Sequence, residues 1–444
     1  MNSPKPPLDV GTLLDEGNWT GYLKFLVGFA SLAIIFDGID NQLFAVAIPS
    51  LMKEWNLPRA AFSSVLAIGM VGMIVGGAFA GLVGDRRGRK FALLLSITTF
   101  GLVTVAMAFA NGVGSIGVLR FLAGLGLGGA IPNAAALTSE YVGRRQRPFA
   151  VTLTLICIPL GGMLAGQLAA WILPTLGWRW LFAIGGAIPL LFVGVFALYL
   201  AESPRYLARH PARWPQLAAF LRRLGHPVEN GSEFVDSRET ASPRTSVRAL
   251  YTADFRRDSI ALSLVFFCCM LAVYAGFSWI PAMLAGAGWP VADASRGIFY
   301  FNLGGVGGAL AAGLLIASLG SRLIMIGLAA GSALIAVALA SMPIAPSAMT
   351  TVLAMLTLLG GTINALTVMG YALSAHVYPT VIRATGVGTA VAFGRIGAVM
   401  SAEAGTRMMD LGGHRYFFFL IAGAMILCIV ALALIQRHIR RDGA

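Results

Sequence analysis

The sequence predicts an all-α polytopic membrane protein, twelve transmembrane helices in two six-helix bundles, and three observations predict it. Hydrophobic residues fill 57% of the 444 positions and charged residues only 11%, where a soluble chain carries charge at roughly twice that density. Apolar runs recur in two groups of six, separated by one polar stretch at 202–257. The two groups also repeat each other in register. Gly81, Gly88 and Lys90 after the second run match Gly313, Gly320 and Arg322 after the eighth at an offset of 232, and Thr138–Arg147 aligns with Ser374–Arg383 at an offset of 236. Two matches in register imply parallel repeats about an axis along the membrane normal, with a site between the halves.

In chain order the runs lie at 22–49, 59–83, 91–111, 113–142, 149–174 and 179–201, then 258–286, 296–319, 323–343, 347–377, 385–409 and 415–436. Each approaches the roughly 20 apolar residues that cross a bilayer at about 1.5 Å per residue. Asn111, Gly112 and Gly114 divide the third from the fourth. The expected organisation is an N-terminal bundle with a short cytoplasmic tail over 1–201, a cytoplasmic linker over 202–257, and a C-terminal bundle and tail over 258–444. Met1–Asn18 is polar and lacks a basic start and a cleavage site, so the first helix is expected to be retained. The 54 glycines suit closely packed membrane helices.

Orientation follows from the basic residues. With the N-terminus inside, 24 of the 32 lysines and arginines fall on cytoplasmic segments and six outside, which is the asymmetry that sets membrane topology. Arg120 and Arg395 remain within helices. The formal charge of +13 is therefore spread over loops, not gathered on a soluble nucleic-acid face. Cys157, Cys268, Cys269 and Cys428 all lie in apolar runs, without disulfide or zinc spacing, and packing is their expected role. No metal or cofactor is expected. No P-loop and no His-Glu-x-x-His occurs, which argues against ATP hydrolysis and against an enzyme.

The first run contains Asp37-Gly38-Ile39-Asp40-Asn41-Gln42. A carboxylate at mid-membrane costs about 2.5–3.5 kcal/mol, so it must face a cavity, a partner or a proton. Asp37, Asp40 and Asn41 share one helical face. Their expected cation is Arg120: Asp37 and Asp40 lie about 22 and 27 Å from the inner face and Arg120 about 20 Å from it. Arg120 can pair with an acid of helix 1 or bind a substrate carboxylate in two-pronged fashion. The competing reading is a purely structural ion pair. Arg395, near mid-membrane on the eleventh helix, is a second candidate anion anchor.

The loop Gly81-Leu-Val-Gly-Asp85-Arg86-Arg87-Gly88-Arg89-Lys90 resembles the loop between helices 2 and 3 of the major facilitator superfamily. Here Gly81 is expected to permit close packing, Asp85 to cap or pair at a helix end, and the basic residues to hold the cytoplasmic surface. Asp37-Gly-Ile-Asp40, Arg120 through Gly124, Gly126 and Gly128 to Pro132-Asn133 and Glu140, and Tyr378-Pro379 with Arg383-Ala-Thr-Gly386 to Gly394-Arg395 resemble the aromatic acid:proton symporter family. The prelude Leu8-Asp9-Val10 with Leu14-Asp15-Glu16 is similar too. Asn41-Gln42 and His376 depart from that family's pattern.

The resemblance implies a proton-coupled inner-membrane carrier that imports a benzoate-like carboxylate by alternating access and functions as a monomer, with the organic anion, the proton and the lipid bilayer as its partners. Asp37 and Asp40 are the candidates for proton coupling. Asn41, Phe44, Arg120, Asn133, Tyr274, Trp279, Tyr371 and Arg395 are the candidates for substrate binding, since helices 1, 4, 7 and 10 are expected to line the cavity. Gly81, Asp85, Arg86, Gly88, Arg89, Lys90, Glu140, His376 and Arg383 are candidate gating or structural positions. The alternatives are a carrier for another organic or sugar acid, a drug:proton antiporter, whose helix-5 motif Ile158-Pro-Leu-Gly-Gly162 matches poorly, and a membrane sensor without transport.

Overall fold

The computed structural model describes residues 7–229, 231–236 and 247–439. Lys5, Arg238, Arg244, Arg440 and Arg441, counted above for topology, lie outside them. A two-residue strand β1 (Leu8–Asp9) and a short helix α1 (Val10–Glu16) lead into the first bundle. That bundle comprises α2 (Gly21–Trp55), α3 (Ala60–Arg87), α4 (Arg89–Met107), α5 (Val113–Tyr141), α6 (Arg147–Thr175) and α7 (Gly177–Tyr199). Next come α8 (Pro204–Ala208), α9 (Trp214–Arg223) and β2 (Phe234–Val235). The second bundle comprises α10 (Arg256–Gly286), α11 (Val291–Leu319), α12 (Ser321–Ser341), α13 (Met349–Val377) and α14 (Thr380–Leu434).

Among the described residues ten helices are long and apolar enough to cross a membrane. One of them, α14, holds both the eleventh and the twelfth expected runs. It spans 55 residues, and the chain breaks at Gly412 and Gly413, where φ is −161° and +63°. The sequence suggested a loop between 409 and 415. Two glycines make the turn instead, because only glycine takes the second backbone conformation without strain. The 29-residue α11 supplies the eighth run.

Tight crossings follow the glycines. Ideal Cβ atoms built at Gly126, Gly166 and Gly186 would stand 2.7 Å from Phe100 N, 2.9 Å from Phe299 N and 2.7 Å from Val105 N respectively, so backbones meet there directly. The repeat appears in backbone form as well. Gly88 and Gly320 each end one helix and begin the next, at φ +108° and +75°.

The N-terminal prelude is docked. Leu8 N donates to Glu233 O at 2.8 Å, and β1 pairs in parallel with β2. Val10 is fully buried and Leu14 nearly so. Asp15 accepts from Arg144 N at 2.9 Å, so the segment before α2 ties the α5–α6 turn to the stretch after α7. On the opposite half of the chain, Arg437 reaches Asp258 at 3.1 Å, and Ile439 and Ser321 exchange hydrogen bonds of 2.8 and 3.0 Å.

Polar contacts between the bundles cluster at mid-membrane and toward the end away from Asp85. Arg59 lies 3.5 Å from Asp410, and Ser63 Oγ donates to Glu403 at 2.9 Å. At the basic end, the described polar contacts of α3, α4 and α5 stay within the first bundle and the segment following it.

Candidate functional site

Asp37 and Asp40 stand one turn apart on α2, both out of contact with solvent. Their surroundings differ. Thr104 of α4 donates to Asp40 Oδ1, and Arg120 of α5 approaches Asp40 Oδ2 at 3.7 Å. Arg120 also donates to the backbone carbonyls of Asp40 at 3.4 Å and Asn41 at 2.8 Å, and its guanidinium lies 5.5 Å over the Phe44 ring. An ideal Cβ at Gly69 would come within 2.7 Å of Arg120 Cγ, so the arginine reaches α2 through the space which that glycine leaves. Asp37 has no such support. Neither of its carboxyl oxygens has a hydrogen-bond partner among the described residues.

Beside this group lies a cavity between the bundles, lined by Asn41, Ala45, Leu66, Met70 and Met73 with Gly69 and Arg120, and from α10 by Tyr274, Phe277 and Ser278. The cavity is narrow, with about 10 Å³ open to a water-sized molecule. It offers one guanidinium, a phenol, an amide and a hydroxyl against methionine and aromatic walls, a set suited to a flat ring carrying an anion and polar substituents.

Arg395 of α14 crosses to the first bundle, donating to Met73 O at 3.2 Å and lying against Gly77. Tyr371 meets Phe266 edge-on at 4.9 Å, and neither Arg395 nor Tyr371 is among the cavity's lining residues. Two further expected ligands stand elsewhere. Asn133 donates to Gly129 O at 2.8 Å and Ala80 O at 3.3 Å, joining α5 to α3. Trp279 is fully buried and donates to Ala402 O at 3.1 Å, joining α10 to α14. Both are helix joints, because a mid-membrane N–H takes whatever carbonyl is in reach.

Sequence reasoning missed Thr104, Met70, Met73 and Ser278. Thr104 could have been found as a hydroxyl inside an apolar run. The methionines carry no such signal.

At the basic end, Asp85 pairs with Arg89 one turn on, and Arg89 lies 3.8 Å from Glu140, which also accepts from Ser203. Glu202 accepts from Lys90 N at 3.0 Å, capping α4, and burial pushes its carboxyl above the usual range. Gly81 differs from expectation. A Cβ there would meet nothing within 4 Å, whereas one at Gly84 would stand 2.9 Å from an Arg89 nitrogen and overlap the Asn133 amide. Close packing belongs to Gly84. Arg86 and Arg87 are exposed, and Arg87 covers the Phe91 ring at 5.6 Å. His376 is exposed, and Arg383 donates to Tyr378 O at 3.3 Å.

A family model described as "Major Facilitator Superfamily" matches residues 30–367. The chain belongs to the major facilitator superfamily. It is 33% identical to a gallate transporter of Pseudomonas putida, with 98% of this chain and 96% of the relative covered. It is 30% identical to the 4-hydroxybenzoate transporter PcaK of Acinetobacter baylyi, with 96% and 93% covered. Among solved structures, the inward-open xylose transporter XylE of Escherichia coli matches with a TM-score of 0.72 at 20% identity, covering 95% of this chain and 97% of that one. These relatives are transporters, not enzymes, and this superfamily member is a multi-pass membrane protein.

Proposed function

We propose that the protein is a proton-coupled carrier that imports a monocyclic aromatic carboxylate across the bacterial inner membrane by alternating access. The observation that carries this reading is the group Asp37, Asp40 and Arg120 beside a cavity walled by both bundles. The aromatic-acid relatives at about 30% identity support the substrate class. Residues 202–257 are the linker, and the basic end faces the cytoplasm with both termini.

The substrate carboxylate docks on Arg120 from the cavity, where its planar fork offers two parallel hydrogen bonds. The ring lies among Tyr274, Phe277, Met70 and Met73, and Asn41 and Ser278 take ring substituents. Arg395 supplies a second positive charge at the edge of the site. Asp37 carries the transported proton, because its dry and unpartnered carboxyl is neutral in the closed pocket and ionises when the site is wetted from one side. Asp40, held by Thr104 and Arg120, fixes the arginine and competes with the substrate for it.

Uptake of radiolabelled ring acids into proteoliposomes with an imposed pH gradient tests the reading. Accumulation driven by an acidic exterior and collapsed by a protonophore is expected. Uptake indifferent to the gradient sinks the proton coupling, and uptake of other organic acids but of no ring acid sinks the substrate class.

A further inference from the structure

Asn41 and Gln42 follow Asp40 on α2, and the two amides point to different tasks. Asn41 lines the cavity. Gln42 does not: it is 1% exposed and reaches Asn302 of α11, itself wholly buried, in the other bundle. The two side chains bond reciprocally. Gln42 Nε2 donates to Asn302 Oδ1 at 3.3 Å, and Asn302 Nδ2 donates to Gln42 Oε1 at 2.8 Å and to Ile298 O at 2.8 Å.

The surroundings are shaped to admit this bond. A Cβ at Gly162 of α6 would overlap the Gln42 amide. One turn along, a Cβ at Gly166 would stand 2.7 Å from Ile298 Cγ2 and 2.9 Å from Ser295 O. Three helices, α2, α6 and α11, therefore close on one another at this level. Farther from the basic end, the bundles meet again through Ser63 with Glu403 and Arg59 with Asp410.

We propose that Gln42 and Asn302 are positioning residues forming the joint that holds the far halves of the two bundles shut, and that parting of this joint admits substrate from the far side. The proposal rests on the alternating-access reading above. A buried amide pair suits a two-state joint. Shut, each amide satisfies the other; parted, each faces a water-filled opening, and water replaces the lost partner. Removing one member alone leaves the other buried without its partner, which penalises the shut state and leaves the open state nearly unaffected. The single replacements therefore shift the population toward the form open at the far side.

The test uses the full chain with its four native cysteines replaced and one reporter, Ile298→Cys, a position fully buried against α6 in the shut form. Labelling of intact cells by a membrane-impermeant maleimide is measured without substrate. Gln42→Leu and Asn302→Leu are each expected to raise the labelling rate roughly tenfold. The double variant, in which no amide is left unpartnered, is expected to fall back toward the parent. Parent-like labelling in both single variants overturns the proposal, as does a double variant labelled faster than either single one. If a leucine variant does not reach the membrane, Gln42→Asn, which shortens the arm by one methylene, is read in its place with the same increase expected and the same overturning result. Because labelling needs no substrate, a parent that carries no ring acid sinks the substrate reading alone, and unchanged labelling in a transporting parent sinks the joint alone.

Discussion

Asp37 and Asp40 have the same side chain on the same helical face, yet they differ in what replacement does. Asp37→Asn exchanges a neutral acid for a neutral isostere at a site without partners, so unfolding in detergent is expected to shift by less than about 1 kcal/mol. Asp40→Ala strands the buried Arg120 and is expected to cost about 3–5 kcal/mol. In transport the order reverses for the gradient: Asp37→Asn keeps exchange of substrate across the membrane but loses accumulation driven by pH. An Asp37→Asn protein that still concentrates substrate against a gradient removes Asp37 from the proton path. The pairing of these acids with Arg120 was legible in sequence because charges at matched depth in apolar runs require one another. Which acid Arg120 meets was not legible, since it depends on the direction of side chains and on Gly69 making way. The same limit explains Gly81 and Gly84, which look interchangeable in sequence. Gly84→Ala is expected to cost about 1–3 kcal/mol by overpacking against Asn133 and Arg89, while Gly81→Ala, facing open space, is expected to be neutral or slightly stabilising. Thermal unfolding of the two purified variants decides it.

Elements were read well where composition alone defines them and less well where a few residues do. Helix limits follow the apolar runs to within several residues, but the turn inside α14 rests on Gly412 and Gly413 alone. By composition the prelude is a polar tail, yet Val10 and Leu14, four apart, form a buried face. At the other terminus, the closing contact contains a titratable group. His438 Nδ1 lies 3.0 Å from Ser321 Oγ and its Nε2 lies 3.1 Å from Leu432 O. Leu432 O can only accept, so Nε2 carries a proton, and in the neutral imidazole Nδ1 accepts from the Ser321 hydroxyl, whose oxygen also accepts from Ile439 N. Burial holds its pKa below the ordinary 6.5, with Arg322 acting in the same direction and the Leu432 carbonyl and Asp258 opposing. A group lowered in this way contributes its stability above the unfolded value, and the contribution is lost as pH falls from 6.5 through the folded value. Protease cleavage after residue 434 is therefore expected to rise below about pH 6, and His438→Gln, which cannot titrate, is expected to flatten that dependence. A pH-independent cleavage rate in the parent chain contradicts the assignment.

At the scale of the whole molecule, the six-plus-six plan was legible because membrane helices must satisfy their own backbone and so announce themselves as apolar runs. The matched glycines Gly88 and Gly320 show why the repeat survives in sequence: each sits between consecutive helices with positive φ, and other residues are strained there. What the runs cannot convey is which end is shut, because closure depends on single polar contacts such as Gln42 with Asn302. The proposed sidedness rests on charge. Asp85 in the last turn of α3 and Arg322 in the first turn of α12 lie at helix junctions that the repeat relates, so a parallel repeat puts both on one side, and the proposed orientation, argued from the arginine asymmetry, makes that side cytoplasmic. Single cysteines at Asp85 and Arg322 are expected to react with an impermeant maleimide only in inverted vesicles. Cysteines at Arg179 in the first turn of α7 and at Arg407 in α14 shortly before the Gly412–Gly413 break, at the opposite end, are expected to react in intact cells. Reaction of Asp85→Cys and Arg322→Cys from opposite sides would break the parallel repeat, because the two halves would then be inverted copies. Reaction of both from outside would keep the repeat and reverse the orientation, placing the charge network of Asp85, Arg89 and Glu140 at the external face and turning the proposed importer around.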